Sequence, residues 1–254
     1  MRRIYWLPLD ANEIARGEEL AIPLERRSRL LGSKRLALGP ILQTAEGNRA
    51  VDRLLEGHAR FQKGYWAQHR ALFAELARKG QSPSTMVVAC CESRVPVEVV
   101  FDCPPGEIFV LRSIANLVPP YAPDAAVHGT SAALEYAMRE LKVPRLVILG
   151  HTLCGGIRAL VRGLSYGKTD FVGLWMSVAE EARQRSLAAV RDPNDIDAIC
   201  RVCEHESIRA SLANLKTFPW IKSRLADDDL QVGGFVFDVE SGELNEVEVA
   251  AGEA

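Results

Sequence analysis

Two short segments hold the residues with the most chemistry in them. Cys90-Cys91-Glu92-Ser93-Arg94 follows the apolar run Met86-Val87-Val88-Ala89, and His151-Thr152-Leu153-Cys154-Gly155-Gly156 follows Leu146-Val147-Ile148-Leu149. Continuous apolar runs of this kind read as strands covered on both faces of a parallel sheet. In such a sheet the strand carboxyl ends converge on one edge, where α/β proteins hold their ligands. Two thiols and an imidazole at that edge make a three-donor soft-metal site best suited to zinc. A fourth position stays open for water, as in a catalytic rather than a structural zinc site, and the ion makes that water acidic enough to be a nucleophile near neutral pH. His151 lies 61 positions after Cys90, room for two crossover units, so both segments can reach the same edge.

Neighbouring residues on a strand point to opposite faces. Cys90 shares its phase with Glu92 and Arg94, so Cys90 is the expected ligand and Cys91 a small hydrophobe packed away from the site. Glu92 and Arg94 add an acceptor and a fork-shaped donor. An arginine can hold a carboxylate bidentately and aim its free lone pair toward the metal-bound oxygen. The glycines after Cys154 let the backbone approach the metal.

The elements that must position these residues alternate between strand and helix. Thr85 to Ala89, Glu107 to Arg112 and Arg145 to Gly150 read as strands, and His128 to Leu141 as a helix whose small residues Gly129, Ser131, Ala132 and Ala133 allow close packing. Strand–helix–strand alternation implies right-handed crossovers and a parallel sheet. Helical spacing over Val51 to Lys79, broken at Gly64, predicts two helices before the first strand. Further helices are predicted over Gly155 to about residue 164, Val172 to Arg191 and Ile196 to Leu225, with Asp192-Pro193-Asn194-Asp195 as the turn between the last two. Leu230 to Val239 and Glu243 to Val249 alternate around Ser241-Gly242 and predict a hairpin at a sheet edge. The fold class is therefore α/β: a single domain with a mostly parallel central sheet flanked by helices, a C-terminal edge hairpin and an N-terminal helical arm. Residues 1 to 48 alternate acidic and basic stretches and carry no motif, so they read as an arm, loosely attached or wrapped on a partner subunit. Residues 49 to 254 form the domain.

Composition narrows the function. The 254 residues are 48% hydrophobic and 25% charged, ordinary for a soluble enzyme, and a net charge of −2 offers no footprint for nucleic acid or an anionic membrane. No apolar run reaches the roughly 20 residues a spanning helix needs. The first residues lack a signal-peptide core, and the acids Asp10, Glu13, Glu18, Glu19 and Glu25 speak against a transit peptide. Six cysteines in a chain this long fit metal or buried roles in a reducing compartment, so the cytoplasm is expected.

Here the motifs carry a resemblance. Cys90-x-Glu92-Ser93-Arg94-Val95, Gly129-Thr130-Ser131-Ala132-Ala133-Leu134-Glu135-Tyr136-Ala137 and Gly150-His151-x-x-Cys154-Gly155-Gly156 resemble the β-class carbonic anhydrases. So do Arg112-Ser113-Ile114-Ala115-Asn116-Leu117-Val118-Pro119-Pro120-Tyr121 and Asn214-Leu215-Lys216-Thr217-Phe218-Pro219-Trp220-Ile221, and the similarity runs from about residue 50 to 245. The resemblance implies reversible hydration of carbon dioxide to bicarbonate, one zinc per subunit, and a homodimer or dimer of dimers with the active site at the dimer interface. Carried across, it makes Cys90, His151 and Cys154 the zinc ligands and Glu92 with Arg94 the acid–arginine dyad, with Gly155 at the substrate. In some relatives the dyad acid leaves the arginine and binds the metal, which would make Glu92 a fourth ligand in a closed state. One departure stands out: the family has aspartate where this chain has Glu92, and the extra methylene moves the carboxylate by roughly a bond length, enough to matter for rate. Ser113, where many relatives have asparagine, is a milder departure. Two alternatives keep the fold and the metal: a sulfur analogue such as carbonyl sulfide as substrate, or a catalytically weak zinc-binding homologue created by Glu92.

Other residues have simpler readings. Cys200-x-x-Cys203 with His205 looks like a metal or redox motif, but Ile196, Ile199, Cys203 and Ile208 continue an apolar helical stripe, so these cysteines are expected in the core. His58, His69 and His128 lack paired ligand spacing, and Cys103, before Pro104-Pro105-Gly106, reads as a loop thiol.

Overall fold

The computed structural model describes residues 45–124, 126–163 and 170–248; the predicted arm, the end of the helix predicted to reach residue 164, and Val249 lie outside the described residues. The described residues fall into two compact units, one ending at Gln68 and one starting at His69. The first holds α1 (Ala45–Lys63) and α2 (Tyr65–Gln68). The break falls at Gly64, as the sequence predicts, and a second break at His69 precedes α3 (Arg70–Lys79) of the second unit. Leu54 and Leu55 of α1 are well exposed, at 75% and 62%, so this amphipathic helix has an apolar surface beyond what its own unit covers.

The second unit is built on a five-stranded sheet: β1 (Thr85–Cys90), β2 (Ile108–Ser113), β3 (Arg145–His151), β4 (Gln231–Phe237) and β5 (Leu244–Glu246). The spatial order is β2-β1-β3-β4-β5. The first four strands run parallel, and β5 returns antiparallel to β4 as the predicted edge hairpin. Five of the six residues of β1 are buried, which is why they read as one apolar run rather than an alternation.

Between β1 and β2 lies the single turn α4 (Val97–Val100), and α5 (Gly129–Glu135) runs on into a wider π turn, Tyr136–Glu140, to fill the predicted span. Gly129 has open space around it, so it is not the packing glycine its sequence context suggests. After β3 come α6 (Gly155–Val161), α7 (Val172–Met176) and α8 (Glu180–Ala189), the last two joined by a tighter turn over Ser177–Ala179.

The predicted Ile196-to-Leu225 helix is two helices, α9 (Ile196–Leu215) and α10 (Pro219–Ala226). Pro219 cannot donate the backbone hydrogen bond that would continue α9, and it is well placed to start the next helix. The helix α9 opens on Asp195, whose side chain accepts the Ala198 amide at 2.9 Å. It lies close against the sheet because β3 and β4 present glycines to it. A methyl group added at Gly150 would sit 2.7 Å from Ile208 Cδ1, and one at Gly234 2.5 Å from Ile208 Cγ2. Cys200 and Cys203 are buried as expected, with burial pushing the Cys203 thiol up to about 12.

Candidate metal centre

Cys90 ends β1 and His151 ends β3. The parallel register Val88↔Ile148 and Ala89↔Leu149 sets these two carboxyl ends side by side. The chain leaves β1 for β2 on one flank and later enters β3 on the other, so this crevice is the switch point where open α/β sheets hold ligands. Cys154 arrives from the loop after β3, in which Leu153 takes a left-handed conformation with φ 59°, and it directly precedes α6. The ligand atoms of Cys90, His151 and Cys154 all lie within 4.8 Å of one another, and all three residues are buried. This is the trio the sequence singles out, and Cys90 rather than Cys91 belongs to it.

These donors fit a soft divalent ion. His151 is 1% exposed; its Nδ1 bonds the Thr152 carbonyl at 2.8 Å, while its Nε2 is buried without a hydrogen-bond partner. A proton on Nδ1 leaves Nε2 with a free lone pair facing the cysteines, the tautomer a metal ligand requires. The two sulfurs face each other across one hydrogen bond: the proton on Cys154 pulls the Cys90 thiol far below its usual range, helped by the amides of Glu92 and Ala115. The same bond, with burial, pushes Cys154 up. A soft cation in place of that proton would satisfy both sulfurs and the imidazole together.

The dyad sits beside the trio, held by a turn. The strand β1 stops at Cys90, so Glu92 and Arg94 do not share a strand phase, and the alternation that favours Cys90 reaches the right residue by the wrong geometry. Arg94 Nη2 donates to Glu92 Oε2 at 2.9 Å, and the Arg94 amide donates to Oε1 at 3.2 Å. The guanidinium holds the Glu92 carboxyl down at about 2. Glu92 faces Arg94, outside the trio of ligand atoms. Cys91 is exposed, not packed away: its amide bonds the Ser113 carbonyl, and its side chain lines an apolar groove with Ile114 and Trp175. Of the two glycines, Gly156 is the close-packed one, with room for a Cβ only 3.1 Å from Ile114 Cγ2, whereas Gly155 faces open space. Among the histidines read as ordinary, His128 pairs with Asp124 at 2.7 Å.

Two residues of this region escape a reading by motif chemistry. Arg112, at the end of β2, donates from Nε to the Cys90 carbonyl at 2.9 Å and from Nη2 to the carbonyls of Glu92 and Val95 at 2.6 and 2.9 Å, so one fork clamps the turn that joins Cys90 to the Glu92–Arg94 pair. Glu204, buried in α9, accepts the Cys154 amide at 2.9 Å. Burial raises its carboxyl, and that amide is the largest influence opposing the rise. The only sequence signal for Glu204 is spacing: Cys200, Glu204, Ser207 and Ser211 form a stripe three and four residues apart, and all four are buried.

Comparison with known proteins agrees with this fold. The family model described as carbonic anhydrase matches residues 85–244. A carbonic anhydrase of Synechocystis is 35% identical over 195 residues, covering 76% of this chain and 70% of that one. Another, of Synechococcus elongatus, is 33% identical over 197 residues, covering 77% and 71%. The solved structure of the β-carbonic anhydrase CcaA superposes with a TM-score of 0.72 at 32% identity, covering 78% of this chain and 95% of that one. A tetrameric β-carbonic anhydrase of Sordaria macrospora does so at 0.68 and 27%, covering 79% and 98%. The chain belongs to the β-carbonic anhydrase family of enzymes.

Proposed function

We propose that this chain catalyses the reversible hydration of carbon dioxide to bicarbonate and a proton, with one zinc ion per subunit held by Cys90, His151 and Cys154. The observation that carries the reading is the trio: two thiols and an imidazole nitrogen with no hydrogen-bond partner, buried together at the switch point of the sheet. When bound there, zinc supplies a Lewis acid with one open position, which lets water act as a nucleophile near neutral pH. The chain's own groups do the rest. Thr152 fixes the His151 ring. Arg94 keeps Glu92 ionised and oriented, and an ionised carboxylate is acceptor only, so it takes a hydrogen bond from the attacking water and aims that oxygen's lone pair at the substrate. Gly155, with nothing within 4 Å of where a Cβ would stand, leaves room for carbon dioxide beside the ligands.

The working unit is a homodimer or a dimer of dimers. An apolar groove of about 790 Å³ opens beside the ends of β1 and β2, lined by Ile114, Val127, Phe171, Leu174 and Trp175. Val127, Phe171 and Leu174 are 99%, 83% and 75% exposed, more apolar surface in one place than a lone subunit usually shows. The catalytic domain spans 49–254. All six cysteines are free thiols, in keeping with a reducing, cytoplasmic setting; no described helix is long and apolar enough to cross a membrane. Stopped-flow hydration of carbon dioxide by metal-replete protein tests the reading: catalysis well above the buffer rate is expected, and a rate equal to buffer would refute it.

A further inference from the structure

We propose that Glu204 is a positioning residue, which sets the Leu153–Cys154 peptide from α9 and thereby fixes both the Cys154 sulfur and the anchor of Arg94. The inference rests on Cys154 being a metal ligand, as read above.

The geometry turns on one peptide plane. Glu204 Oε1 accepts the Cys154 N–H at 2.9 Å, and Arg94 Nη2 donates to the Leu153 C=O at 3.2 Å. Those two groups are opposite ends of a single rigid planar unit. A buried carboxylate therefore grips one edge of the plane, and the dyad arginine grips the other. Any rotation of the plane moves the Cys154 ligand and the Arg94 acceptor together. The plane needs such a grip because Leu153 sits at φ 59°, a conformation that costs a non-glycine residue about 1–3 kcal/mol and persists only where the surroundings over-determine it.

Glu204 is fit to supply that constraint. It is 4% exposed, and no ion pair to it appears among the described residues, so backbone amides are what it holds. Its helix cannot drift, because Ile208, one turn on, is seated against Gly150 and Gly234 with no room for a Cβ on either strand. The rigid sheet thus transmits its position through α9 to the loop that carries the third ligand.

Two conservative variants separate reach from charge. Glu204→Gln keeps an oxygen for the Cys154 amide and gives up the charge. Glu204→Asp keeps the charge and withdraws the oxygen by about one C–C bond, roughly 1.5 Å. Each is loaded with cobalt(II), and its visible absorption and thiolate charge-transfer bands are recorded beside kcat and KM for hydration. Glu204→Gln should keep the parent spectrum and a kcat within about threefold. Glu204→Asp should shift the bands and lower kcat by about tenfold or more with KM little changed, in line with the effect of a 1 Å misplacement. A parent-like spectrum and kcat in Glu204→Asp, or a displaced spectrum in Glu204→Gln, would overturn the proposal. Failure of either variant to fold would overturn it too, by placing the residue's role in core stability. A parent chain that takes up no cobalt would instead sink the metal-site reading.

Discussion

Arg112→Lys should damage the site through its scaffold rather than its ligands. The arginine spreads three donated hydrogen bonds over the carbonyls of Cys90, Glu92 and Val95, at 2.9, 2.6 and 2.9 Å. Lysine keeps the charge but replaces a planar fork with one ammonium on a flexible stem, which can serve one of the three positions well. Two hydrogen bonds are then lost. The arginine is exposed, so water takes up part of the loss, and about 1 kcal/mol each is a fair figure. Urea unfolding should therefore show a loss of about 2 kcal/mol. The turn that loosens carries Glu92 and Arg94 immediately after a ligand, and a displacement near 1 Å there can lower the rate up to about a hundredfold. Stopped-flow hydration should accordingly show kcat down by about tenfold or more while the zinc content stays at the parent level. A variant within about 0.5 kcal/mol of the parent, with kcat unchanged, would refute the clamp.

Further outcomes follow from neighbouring residues. Glu92→Asp restores the family's acid and suits an acceptor bonding an amide two residues on, so its kcat should equal or exceed the parent's; a fall of about tenfold, or 1.4 kcal/mol of transition-state stabilisation, would show that the site has adapted to glutamate. Gly156→Ala should destabilise by about 1–2 kcal/mol in thermal or urea unfolding, because its Cβ would press on Ile114 and Ala115. Gly155→Ala, facing open space, should leave stability within about 0.5 kcal/mol and alter KM for carbon dioxide instead; an unaltered KM would remove Gly155 from the substrate site. Leu174→Asp places a charge in the apolar groove and should shift light scattering toward the monomer at micromolar concentration, whereas an unshifted oligomer would put the subunit contact elsewhere.

The strands and the meeting of Cys90, His151 and Cys154 are legible in the sequence because both follow from short-range pattern. Burial on two faces writes itself as unbroken runs at Met86 to Ala89 and Leu146 to Leu149, and a parallel sheet then brings their ends to one edge. The break in the long C-terminal helix is also local, at Pro219, yet the helical spacing over Ile196 to Leu225 reads through it as one helix. The exposure of Cys91 is not legible from strand alternation, because β1 stops at Cys90 and Cys91 lies beyond it. Nor is the hold on the dyad, which comes from a turn and from Arg112 one strand away rather than from strand alternation. Glu204 is the extreme case. Its role depends on a helix fifty residues on in the chain docking across two glycines, and a charged residue between Cys203 and His205 says nothing of that by itself.

The central claim is that Cys90, His151 and Cys154 hold one catalytic zinc, and the zinc content of purified protein tests it most directly. Elemental analysis of the parent chain and of Cys154→Ser, both after mild chelation and dialysis, should give about one zinc per chain for the parent and close to none for the variant, since an alcohol does not replace a thiolate at this metal. A Cys154→Ser chain that keeps stoichiometric zinc, or a parent chain that binds none, would contradict the assignment.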